Sequence, residues 1–137
     1  SKIYTSNLLR AKETGEIISK MIKAPIKLGL EELDEYRGRH LKNKWKLLFN
    51  KRLRKLKKFL NGLTKSKQKD KTILIVGHGI TNRIIMGYLL EIPLKKQLLF
   101  LRQSNTGVNI LKWDTNFGNW HLEVMNDISH LPRRVKW

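Results

Sequence analysis

The chain has no cysteine in its 137 residues. That excludes disulfides, thiolate metal sites and a cysteine nucleophile, and it leaves the redox compartment open, although a reducing cytoplasm fits. No apolar run approaches the roughly 20 residues that span a bilayer, and no signal peptide is visible. No membrane partner is therefore expected, and the expected location is cytoplasmic. Acidic residues are scarce: 11 Asp and Glu stand against 29 Lys and Arg, a formal net charge of +18. Such an excess attracts anions, whether phosphorylated metabolites, nucleic acid or anionic lipid, and does not choose among them. No two histidines lie one helical turn apart, so metal-ligand spacing is missing and neither metal nor cofactor is expected.

Enough apolar sequence remains, 40% of residues, to bury a core and to rule out global disorder. Length, with no repeat and no linker, predicts one domain or part of one over 1–137. Lys2 to Thr5 reads as the end of a short strand. Ser6 or Asn7 then caps a helix from Leu8 to Ile22, whose residues Leu8, Ala11, Gly15, Ile18 and Ile22 form the inward face. Pro25 ends it, a short strand Ile26-Lys27-Leu28 follows, and Glu31 to Gly38 is an acidic loop. Leu41 to Leu60 reads as one long helix with an apolar stripe of Trp45, Leu48, Phe49, Leu53, Leu56, Phe59, Leu60 and Leu63, stopped by Asn61-Gly62. A buried strand over Thr72–Val76, a helix over Ile80–Leu90 closed by Pro93, and a hairpin of Gly107–Trp113 with Trp120–Met125 complete the pattern. Residues 97–101 give no clear signal, and Arg102-Gln103-Ser104-Asn105 reads as loop. Helices alternating with short strands predict an α/β fold.

Chemistry concentrates where Ile73-Leu74-Ile75-Val76 runs into Gly77-His78-Gly79 and a helix begins. Open α/β sheets bind ligands at the carboxyl ends of their strands, and a helix start attracts anions. His78 there suits phosphate binding, proton transfer or nucleophilic attack, and the flanking Gly77 and Gly79 let a ligand approach the backbone. Arg10 lies in the first turn of a helix that follows another strand end, where its guanidinium fork suits a phosphate; alone it would be an ordinary exposed arginine. Glu31, Glu32, Asp34 and Glu35 offer a carboxyl to protonate a bridging oxygen, although most of them must simply face solvent. His121 reads as surface or packing, and His40 has no evident partner. From Arg39 to Lys71, 14 basic residues face Asp70 alone. A solvated amphipathic face explains that run better than nucleic-acid binding, because the apolar stripe is regular and its aromatics Trp45, Phe49 and Phe59 fall on that stripe instead of among the charges.

Taken in order, these pieces resemble the histidine phosphatase superfamily, which includes the cofactor-dependent phosphoglycerate mutases. Tyr4-Thr5-Ser6-Asn7-Leu8-Leu9-Arg10-Ala11-Lys12-Glu13-Thr14-Gly15-Glu16-Ile17-Ile18 is similar to the segment carrying that family's second phosphate-binding arginine. Leu33-Asp34-Glu35 before Gly38 is similar to its acid segment, and Ile75-Val76-Gly77-His78-Gly79 to the segment with its second active-site histidine. Asn105-Thr106-Gly107-Val108 and Asn126-Asp127-Ile128-Ser129-His130-Leu131 resemble its C-terminal elements.

The resemblance implies a three-layer α/β/α sandwich around a mostly parallel central sheet, and phosphoryl transfer through a phosphohistidine without a metal. It places Arg10, His78 and Gly79 on a small phosphorylated substrate and makes Glu35 the proton donor, with Glu32 as the fallback. Glu35 stands three residues before Gly38, where four is usual. The family's Arg-His-Gly nucleophile motif is absent; Arg39-His40-Leu41 is in the wrong place and lacks the glycine. The expectation is a domain whose first strand is missing from these residues, poorly stable and inactive alone. The alternatives are a non-catalytic phosphate-binding relative and a basic nucleic-acid-binding module.

Overall fold

A computed structural model describes residues 1–36, 43–64 and 71–132, with side chains of the long helix described from Phe49 onward. The elements are β1 (Lys2–Ser6), α1 (Leu9–Ile22), β2 (Ile26–Leu30), a 3-10 turn (Glu31–Leu33), α2 (Asn43–Thr64), β3 (Ile73–Val76), α3 (Gly79–Leu89), α4 (Leu94–Phe100), β4 (Val108–Asp114) and β5 (Asn119–Asp127). They form two compact units, Ser1–Thr81 and Asn82–Trp137.

The first unit is a parallel sheet in the order β2-β1-β3. Both β1 pairings are parallel, and Thr5 of β1 faces Val76 of β3. That register brings Ser6 and Gly77-His78 to the same carboxyl edge. Helix α1 packs on all three strands. Its contact face is narrower than the periodicity predicts: Ala11 and Gly15 are buried, whereas Ile22 is 54% exposed. Gly15 sets the spacing, because a Cβ there would run into the Thr5 methyl and the end of Ile26.

Three further expectations are corrected. No side chain caps α1; its N-cap is Leu8, and Ser6 Oγ instead accepts the Leu8 N–H at 3.2 Å. Helix α2 runs through Asn61-Gly62 to Thr64. The propensity cost of a glycine is only about 1 kcal/mol, and half-buried Leu63 lies one residue beyond. Strand β3 is half-buried rather than buried, since among the described residues it has a strand neighbour on one side only. In α2, Leu56 and Leu60 are buried while Lys51, Arg54, Lys55, Lys57 and Lys58 are exposed, the segregation expected of a solvated amphipathic face. Trp45 and Leu48 have side chains outside the described residues, as does all of His40.

In the second unit, residues 97–100 of the segment without a clear signal belong to α4, which packs on α3 where Gly87 leaves room for the Gln97 side chain. Buried Gln97 donates to the Ile92 carbonyl at 2.6 Å. Strands β4 and β5 form the expected antiparallel hairpin. Its turn is held by Asp114, whose Oδ1 accepts the Asn116 N–H at 2.7 Å, and by Gly118 at φ +65°. Asn126 accepts the Ser104 N–H at 2.7 Å and donates to Ser104 Oγ at 3.0 Å, tying β5 to the segment before β4. No described helix is long and apolar enough to cross a membrane.

Candidate phosphate-binding site

Strands β1 and β3 end side by side, and the chain leaves each of them into a helix. Arg10, in the first turn of α1, meets His78, the residue before α3: Arg10 Nη2 lies 3.0 Å from His78 Nδ1. The other ring nitrogen, Nε2, lies 2.7 Å from Ser6 Oγ. His78 is 6% exposed. A guanidinium has no acceptor, so Arg10 donates and Nδ1 carries no proton. The single proton of the neutral ring is therefore on Nε2, which donates to Ser6 Oγ. Burial, then the adjacent Arg10 cation, push the His78 pKa below its ordinary value, against smaller opposing effects of Glu35 and Asp34.

The acid loop closes the other side. Glu35 Oε1 accepts the Ile80 N–H at 3.1 Å in the first turn of α3, a favourable place for a carboxylate. Asp34 Oδ1 accepts the Asn7 N–H at 2.6 Å, and its carbonyl accepts the Thr81 hydroxyl at 2.8 Å. The structure thus brings Arg10, His78 and Glu35 to one edge. Glu32 is half-buried in the 3-10 turn, where its charge acts on Tyr36, and Glu31 pairs with Lys55 at 2.9 Å. Among the described residues a Cβ at Gly79 would meet nothing within 4 Å, so space is open beside that backbone. No described group of His, Asp and Glu could hold a metal. A cleft of about 400 Å³ lined by Lys2, Tyr4, Pro25, Leu63 and Thr72 contains neither Arg10 nor His78.

Sequence reasoning missed three supporting residues. Ser6 was legible only as a helix cap, Asp34 only as one of four loop acids, and Arg52 only as one cation in a basic run. Arg52 donates to the carbonyls of Asp34, Glu35 and Glu31 at 2.7, 3.3 and 3.4 Å. Its guanidinium also lies 4.4 Å from the centre of the Tyr36 ring. Burial pushes the Tyr36 hydroxyl up to about 12. The guanidinium therefore supplies donors to the Asp34 and Glu35 carbonyls and shares the Glu31 carbonyl with the Asp34 N–H. Arg52→Ala is expected to destabilise the protein by about 2 kcal/mol, read as a lower urea midpoint, with Arg52→Lys recovering only part of the loss.

The lowered His78 pKa also gives a sign for the pH dependence of stability. The unfolded chain binds this proton more readily than the folded one. Stability is therefore full above about pH 6.5 and falls as pH drops toward the lowered folded value. Melting temperatures across this window are expected to decline before the carboxylates titrate, and His78→Gln is expected to flatten that decline.

The sequence model of the histidine phosphatase superfamily (branch 1) matches residues 49–128. No curated protein matches by sequence. Among solved structures, the chain is similar to a mycobacterial glucosyl-3-phosphoglycerate phosphatase determined with VO3. There the TM-score is 0.69 and the identity 16%, over 91% of this chain and 76% of that one. It is similar to the alpha-ribazole phosphatase of Shigella flexneri with TM-score 0.68 and 16% identity, over 91% and 72%. It is similar to phosphoglycerate mutase of Plasmodium falciparum with TM-score 0.62 and 28% identity, over 97% and 74%. These likenesses show the α/β fold that the alternating helices and strands predicted.

Proposed function

The chain belongs to the histidine phosphatase superfamily (branch 1), and from that premise we propose that it forms most of one phosphatase-like domain acting on a small phosphorylated substrate. The family match runs through both compact units. The observation that carries the reading is the contact of Arg10 with His78, beside the start of α3 and Glu35. A phosphoryl group seated there would meet a guanidinium fork, an imidazole and a helix start, groups that stabilise charge developing on phosphoryl oxygens.

In this reading the nucleophile is a histidine supplied by chain upstream of Ser1. Its ring nitrogen attacks phosphorus, the ester P–O bond breaks, and the alcohol leaves with a proton from Glu35. Water then attacks the phosphohistidine and releases phosphate; a second substrate taking the water's place would make the reaction a mutase. Glu35 has one oxygen on the Ile80 N–H, which leaves the other for the proton. The large positive charge draws anionic substrates in. The coding region tests this directly: an in-frame strand ending in Arg-His-Gly supports it, and a natural protein that starts at Ser1 sinks it.

A non-catalytic relative is the second reading, because Arg10, Ser6 and His78 form their contacts without a nucleophile. Phosphate binding by the natural protein with no covalent phosphoenzyme would favour it.

A further inference from the structure

We propose that Ser6 is a positioning residue that fixes the tautomer of His78, so that Nδ1 is the nitrogen facing the bound anion and gains a proton when the anion arrives. This inference rests on the phosphate-binding reading of the site and adds to it the orientation of the imidazole. Ser6 and His78 are both buried, and their 2.7 Å contact spans 72 residues of sequence. Because Arg10 must donate to Nδ1, the Nε2 proton has one described acceptor, Ser6 Oγ. That oxygen also accepts the Leu8 N–H. Two incoming hydrogen bonds occupy both of its lone pairs, so it holds the ring as an acceptor while its own O–H remains a donor.

The same arrangement excludes a serine–histidine nucleophile pair. Such a pair needs an unprotonated ring nitrogen facing the hydroxyl, and here the nitrogen facing Ser6 carries the proton. Ser6 therefore acts through His78.

Anion binding changes the balance at Nδ1. A tetrahedral dianion on Arg10 takes the guanidinium N–H that Nδ1 now accepts. Nδ1 would then present a lone pair to a negative oxygen, which is repulsive. One proton from solvent adds to Nδ1; the ring becomes imidazolium, donates to the anion through Nδ1–H and keeps Nε2–H on Ser6. The charged groups facing His78 are Arg10 from α1, which opposes that proton, and Glu35 and Asp34 from the acid loop, which favour it. The anion neutralises the first and leaves the other two in place. Removing the Ser6 hydroxyl leaves a buried N–H without an acceptor and frees the ring to turn.

The test is nitrogen NMR of the histidine-labelled protein, with any natural chain upstream of Ser1 retained, using sulfate as the probe because it does not titrate near neutral pH. The wild type is expected to show a neutral ring protonated at Nε2 without sulfate and a doubly protonated ring at saturation. Ser6→Ala is expected to give a mixture of tautomers and sulfate binding weaker by about 5- to 100-fold. Ser6→Thr, which keeps the hydroxyl, should restore both. A wild-type ring protonated at Nδ1 without sulfate, or one that stays neutral with sulfate bound, overturns the proposal, as does a single Nε2–H tautomer with unchanged affinity in Ser6→Ala. If Ser6→Ala does not fold, the wild-type tautomer and the Ser6→Thr affinity still decide. Failure of the underlying site reading looks different: sulfate would then shift neither His78 nor Arg10 resonances.

Discussion

Arg10→Ala is expected to weaken phosphate binding by about 100-fold. Hydrogen bonds from a guanidinium to an oxyanion contribute roughly 1.5–3 kcal/mol each, and a fork supplies two. Arg10 is exposed at its helix turn, so solvent screening lowers the pair to about 3 kcal/mol in total. Arg10→Lys keeps the charge and loses the fork, and should recover about half of that free energy. Both can be read by calorimetric titration with inorganic phosphate. Stability should change little, because the one described polar partner of the Arg10 side chain is His78. A second readout separates this from general damage. Without the neighbouring cation, the His78 pKa should rise toward its ordinary value. Affinity unchanged in Arg10→Ala would remove this arginine from the site.

The second large effect concerns turnover. These 137 residues alone, without Arg-His-Gly, are expected to form no covalent phosphoenzyme and to give no turnover of a phosphomonoester. Loss of a covalent nucleophile removes the two-step route rather than slowing it. In the proposed reading Arg10 and His78 would still stabilise charge and Glu35 would still offer a proton, but the Arg-His-Gly histidine that takes the phosphoryl group would be missing. The expected result is phosphate binding without an acid-labile phosphoprotein, checked by incubation with a labelled phosphomonoester and by phosphorus NMR. Restoring natural upstream sequence should restore both the phosphoenzyme and turnover. A stable phosphoenzyme on His78 in the short chain would overturn the assignment of His78 as a binding group. The contacts of the ring argue against that role: Arg10 donates to Nδ1, and Nε2 faces Ser6 Oγ.

Most elements were legible because their signals are local. The alternation around Asp114-Thr115-Asn116-Phe117-Gly118-Asn119 predicts a hairpin, and β4 and β5 form it. The periodic leucines of α2 predict a buried stripe, and Leu56 and Leu60 are buried. The misses have physical causes. Ile22 fits the helical period, but α1 meets the sheet most closely at Gly15, against Thr5 and Ile26. Asn61-Gly62 carries a stop signal whose cost is smaller than the gain from continuing the helix. Helix α4 is only seven residues long, Leu94–Phe100, too short for periodicity to declare itself. Arg52 looks like its neighbouring lysines because nothing local marks the carbonyls it reaches.

The sequence by itself determined the composition-level physics: a cysteine-free, strongly basic α/β chain with a histidine at one strand end and an arginine after another. It also ordered the motifs that lead to the family. Only the tertiary structure decided that these strand ends are neighbours. Parallel pairing of β1 with β3, with Thr5 opposite Val76, carries Arg10 to His78 across 68 residues and seats Ser6 against the ring. Periodicity and capping report interactions within a few residues. The protonation state and orientation of an imidazole depend on which donor and acceptor reach its two nitrogens, and here those groups come from β1 and α1, far away in the chain.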